Sequence, residues 1–83
     1  MIEPSELHRM LQAAFPDGEI QVEDLTGSRD HYRAVVVSGA FEGKGLIERH
    51  RAVYAALGDA MKAKVHALTL ETKTPAERSR RLT

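Results

Sequence analysis

The chain contains no cysteine, and that absence removes more chemistry than any other feature of its composition. Without thiols there is no disulfide, no thiolate nucleophile and no metal site built from cysteines alone, so any thiolate in its chemistry must come from a partner. Long apolar runs are missing too. None approaches the eighteen or more residues of a membrane span, and the N-terminus has neither the basic nor the apolar region of a signal peptide. These absences predict a soluble, cytoplasmic protein. Charge of one sign is lacking as well: twelve basic residues balance twelve acidic ones to a formal net charge of zero. This argues against a protein whose main work is gripping phosphate backbones. With 83 residues, one domain burying only about 60% of its unfolded surface is expected, which leaves little room for a large enclosed active site.

Motifs of enzymes and nucleotide binders are absent as well. Ser5, Ser28, Ser38 and Ser79 stand in no nucleophile motif, and no paired acids are arranged for proton transfer, so no enzyme is expected. The glycines at 39, 43 and 45 include no pair three apart. The GxxG turn that clamps a nucleic-acid backbone in KH modules is therefore missing, as is GxxxxGK[ST]. Internal repeats, low-complexity stretches and long linkers are not seen either.

What the chain does have centres on residues 41–70. From Leu46 the apolar positions Leu46, Ile47, Val53, Tyr54, Leu57 and Met61 recur at helical spacing and predict one buried stripe. Gly43 and Gly45 give a permissive backbone before this helix, and Lys62 to Lys64 are expected to close it with positive charge. A strand over 65–71 follows, with Leu68 and Leu70 inward. Upstream, Leu7, Met10, Leu11, Ala14 and Phe15 predict a first helix, stopped by Pro16-Asp17-Gly18. The alternation Ile20, Gln21, Val22, Glu23 reads as a strand, and the polar turn at 26–30 folds the run 31–38 back as its hairpin partner, with Tyr32, Ala34 and Val36 inward. Thr74-Pro75-Ala76-Glu77 has the form of a capping box and predicts a short C-terminal helix. The order α-β-β-α-β gives an α+β two-layer sandwich with a three-stranded mixed sheet.

Four histidines are the first candidates for ligands. His8, His31, His50 and His66 include no helical i, i+3 or i, i+4 pair, so no self-contained zinc motif is present. His8 is expected to be exposed. His50 reads as a partly buried packing residue between Arg49 and Arg51, whose guanidinium forks could receive a carboxylate or phosphate from a partner. His31 and His66 open the second and third strands, and spacing alone does not separate ligands from ordinary strand-end histidines. From Lys73 onward four basic residues face one acidic residue, so the tail is positive and the body negative; such a tail is more often solvated than used to recognise nucleic acid.

Val22-Glu23-Asp24, His31-Tyr32, Val36-Val37-Ser38, Phe41-Glu42-Gly43-Lys44, Arg49-His50-Arg51, Val53-Tyr54, Leu57, His66-Ala67-Leu68 and Thr74-Pro75, in this order and at these separations, resemble the BolA family. The resemblance spans about residues 5–77; one domain over 1–77 is expected, and residues 78–83, with almost no apolar stripe, are expected to form a frayed basic tail. It implies a fold related to the class II KH type and a role as adaptor to a monothiol glutaredoxin. In that complex a [2Fe–2S] cluster is shared or transferred, in iron–sulfur and iron homeostasis, with thiolates from the glutaredoxin and glutathione. The position matching the family's histidine ligand is His66. A second ligand often comes from the loop between the first two strands, but 26–30 has neither cysteine nor histidine, and only His31 at its end could substitute. The alternative implied role is a DNA-binding transcriptional regulator of stress response and cell morphology, with Lys44, Arg49, His50 and Arg51 as contacts. Alone, the chain is expected to be a cofactor-free monomer or weak dimer that binds DNA at most weakly. Arg78 stands where the family often has tryptophan.

Overall fold

The computed structural model describes residues 3–25, 27, 31–58 and 68–81. Helix α1 (Pro4–Ala14) is followed by strands β1 (Glu19–Asp24) and β2 (Tyr32–Val37), a 3-10 turn (Gly39–Phe41), helix α2 (Leu46–Leu57), strand β3 (Leu68–Lys73) and helix α3 (Pro75–Arg81). The sheet runs β1-β2-β3, with β1 antiparallel and β3 parallel to the central strand. The α+β sandwich with a mixed three-stranded sheet is thus as expected.

Alternation decides the faces of the sheet. Ile20, Tyr32, Ala34, Val36 and Leu68 are buried against Leu7, Leu11, Phe15, Phe41, Val53 and Leu57. Phe15 and Phe41 meet at 5.2 Å between ring centroids, tilted by 50°, an arrangement aromatic quadrupoles favour. The other face carries Glu19, Gln21, Glu23, Arg33, Val35, Glu71 and Lys73.

Several boundaries differ from the sequence expectation. Helix α2 stops at Leu57, because Gly58 turns the chain at φ +55°; Met61 and Lys62 to Lys64 lie outside the described residues. A glycine enters this region of positive φ at little cost. Leu46 and Ile47, expected on the buried stripe, are 65% and 68% exposed. The chain leaves β2 at Val37 and passes through the 3-10 turn (Gly39–Phe41) before α2 begins. Ala14 is exposed at the end of α1, while Met10 is half-buried. Strand β3 runs on to Lys73, two residues beyond the expected end at Glu71. The capping box forms: Thr74 N–H donates to Glu77 Oε1 at 2.8 Å, and Glu77 N–H to Thr74 Oγ1 at 3.1 Å. Helix α3 continues to Arg81, through residues read as a fraying tail, and Arg78 pairs with Glu19 at 2.7 Å. No described helix is long and apolar enough to cross a membrane.

Candidate functional site

His31 stands immediately before β2. Its side chain is exposed, while its carbonyl accepts the Leu25 N–H at 2.9 Å and the next residue, Tyr32, is completely buried. An accessible imidazole is thus carried on a pinned backbone. Parallel pairing sets Tyr32 against Leu68, so β2 and β3 enter the sheet at the same end. His66 precedes Leu68 by two positions and lies outside the described residues. Among the described residues no three histidine, aspartate or glutamate side chains converge to hold a metal.

The other end of the sheet carries the cationic candidates, and here they separate. Lys44 and Arg51 are exposed. Arg49 is not available in the way its sequence neighbourhood suggests. Its Nη1 donates to Glu77 Oε1 at 2.7 Å, its Nη2 to Oε2 at 3.1 Å, and its Nε to the Lys44 carbonyl at 2.9 Å. Only 13% of its side chain is exposed. The Glu77 carboxylate holds the guanidinium above its ordinary pKa, against the opposing effect of burial. The carboxylate expected from a partner is supplied from within the chain. His50 is half-buried with its Nε2 shut off and without a hydrogen bond; Thr72 Oγ1 is likewise buried and unbonded. His8, expected in solvent, is half-buried with its Nε2 3.2 Å from the Ile20 carbonyl, which requires the tautomer protonated at Nε2.

The outward face of the sheet has an apolar strip, with Val35 half-buried and Val37 buried, among charged side chains. Arg33 lies between Glu71 at 3.3 Å and Glu23 at 3.9 Å, and Glu71 also meets Lys73 at 3.5 Å. Around the Val35 and Val37 floor, Arg33, Glu71 and Lys73 line an open hollow of about 320 Å³ with Glu19, Gln21 and Arg78. The Arg33–Glu71 pair joins strands distant in sequence, which alternation cannot foretell. At the sheet's end Asp17 accepts the Ser38 hydroxyl at 2.9 Å and the Gly39 N–H at 2.9 Å. These bonds, led by the Gly39 amide, lower its carboxyl pKa.

Residues 3–77 match the family model described as BolA-like protein. An uncharacterized protein of Rickettsia prowazekii is 34% identical over 71 residues, covering 86% of this chain and 92% of that protein. The DNA-binding transcriptional regulator BolA of Escherichia coli is 35% identical over 78 residues, covering 86% and 74%. Human BolA-like protein 1 is 47% identical over 51 residues, covering 61% of this chain but 37% of that longer protein. Among solved structures, a bol-like protein from Babesia bovis superposes with TM-score 0.84 at 31% identity, covering 100% and 96%. The BolA domain of SufE1 from Arabidopsis thaliana gives 0.77 at 36% identity, covering 89% and 93%.

Proposed function

Because this chain belongs to the BolA-like family, whose model covers residues 3–77, we propose that it is a non-enzymatic adaptor that binds a monothiol glutaredoxin and shares the partner's [2Fe–2S] cluster, in iron–sulfur and iron homeostasis. The observation that supports this most is the register of Tyr32 with Leu68, which sets the start of β2, one position after His31, and the start of β3, two positions after His66 in sequence, at one end of the sheet. The cluster is cargo here, with thiolates from the glutaredoxin cysteine and glutathione and an imidazole from His66; His31 is the candidate for a second. An imidazole in place of a thiolate removes negative charge from one iron and raises the reduction potential, as in Rieske centres. The occurrence of a BolA domain in SufE1 is consistent with an iron–sulfur setting. The pinned, exposed His31 suits a docking rim, where a ligand can be offered without unfolding its support.

The test mixes the protein with a monothiol glutaredoxin, glutathione and iron and sulfide sources, and reads the visible spectrum. His66→Ala should change the spectrum and shorten the cluster's lifetime while the free protein melts almost as before. His31→Ala should have a smaller spectral effect. Unchanged spectra together with a melting point several degrees lower would make His66 a structural residue and remove the cluster-sharing role.

A second reading, a DNA-binding transcriptional regulator in stress response and cell morphology, draws on the name of the Escherichia coli relative. The pairing of Arg49 with Glu77 weakens it, since the guanidinium is already occupied. Duplex titration separates the two readings.

A further inference from the structure

Arg49 joins the turn just before its own helix to the last helix, 28 residues further along the chain. It stands on α2, its fork is closed by Glu77 of α3, and its Nε–H reaches back to the Lys44 carbonyl in the Gly43–Gly45 turn. The turn needs such a hold. Gly43 has φ +79°, and Lys44, Gly45, Leu46 and Ile47 are all exposed, so no hydrophobic packing fixes this stretch. Its described hydrogen bonds are Lys44 N–H to the Phe41 carbonyl at 3.1 Å, Gly45 N–H to Glu48 Oε1 at 3.2 Å, the helical bond from Arg49 N–H to the Gly45 carbonyl at 3.0 Å, and the Arg49 side-chain bond, which alone holds the Lys44 carbonyl among those described. Glu77 in turn is fixed by its own capping box with Thr74.

We propose that Glu77 is a positioning residue: by holding the Arg49 fork it makes the last helix set the conformation of the turn that presents Lys44, Leu46 and Ile47, so that α3 and this surface behave as one unit. The partial burial of the pair gives the link strength. A bidentate guanidinium–carboxylate contact is directional as well as attractive, so it fixes the plane of the guanidinium and with it the direction of the Nε–H. A lysine at 49 could pair with Glu77 but could not also supply this planar arrangement. The role of the turn as a contact surface for glutaredoxin rests on the proposed function; the coupling of α3 to the turn does not.

Two single variants isolate the link. Glu77→Gln keeps an oxygen able to accept the Thr74 N–H, so the cap survives, but it removes the charge and the second acceptor. Arg49→Lys keeps the charge and removes the fork. Backbone amide spectra of the free, full chain should show that each variant shifts the signals of Gly43, Lys44 and Gly45 and speeds their hydrogen exchange. The double variant should do no more than either single one, as expected for two residues acting through one contact. Glutaredoxin affinity should fall about fivefold or more in all three variants. A residue of purely local importance would disturb only α3. Unshifted turn amides in Glu77→Gln, or effects of the two substitutions that add, would overturn the proposal. If the wild-type protein fails to bind glutaredoxin, the partner reading falls while the amides still decide the coupling.

Discussion

Gly18 occupies a site where a side chain has no room: a Cβ there would lie 2.9 Å from the Val37 carbonyl oxygen and 3.0 Å from that of Phe15. The sequence shows only that Pro16-Asp17-Gly18 ends a helix. That the glycine also lets the α1 end close on the end of β2 depends on a contact between positions distant in the chain. Its neighbour Asp17 exploits the same approach, binding Ser38 and Gly39 after β2. A carboxyl whose folded pKa lies below its unfolded one binds fewer protons when folded, so its contribution is complete above the ordinary carboxylate range near about 4 and is lost as pH falls through the folded value. Asp17→Asn should therefore melt at a lower temperature than wild type at neutral pH. As the pH is lowered from about 5 to about 3, the gap should narrow. Melting curves over that series check both; a gap that stays constant would show that the ionised carboxylate is not what matters.

Helix α2 shows how far periodicity carries at the scale of an element. Leu57 and Leu46 are both leucines on the predicted stripe, yet one is 2% and the other 65% exposed. Leu57→Ala should cost about 2–5 kcal/mol, the range for deleting a buried leucine side chain. Leu46→Ala should stay within about 0.5 kcal/mol, as surface changes do. Urea denaturation of the two variants reads the difference directly, and equal losses would mean that the first turn is covered after all. The pattern of residues thus announced the helix and its inward face, because a period of 3.6 is local. It could not announce how much of that face is covered. The same limit governs the site. His31, Lys44 and Arg51 were legible as exposed candidates from their polar turns and helix positions, whereas the loss of Arg49 to Glu77 depends on a contact between residues far apart in the chain. The capping box of Thr74 and Glu77, being local, was legible in full; the further use of that glutamate by Arg49 was not.

Charge at the scale of the whole molecule separates the two functional readings most cheaply. The chain is formally neutral, and its described cations are largely engaged: Arg9 with Glu6, Arg33 and Lys73 with Glu71, Arg49 with Glu77, Arg78 with Glu19. The exposed pairs among these contribute little to stability, but each pair places a carboxylate beside a cation that would otherwise meet phosphate. Lys44, in the turn before α2, and Arg51, in the middle of that helix, are exposed and are the natural first contacts. Duplex DNA should accordingly bind without sequence preference and no tighter than about micromolar at physiological salt. Each phosphate neutralised adds about −0.9 to the slope of log affinity against log salt, so engagement of roughly three phosphates gives a slope near −2.7. Replacing both Lys44 and Arg51 by alanine should flatten that slope by about 2 while leaving thermal stability nearly unchanged. Titration of a labelled duplex across a salt series measures all of this. Nanomolar, sequence-selective binding with a steeper slope would reverse the ranking and make nucleic acid, rather than a glutaredoxin, the principal partner.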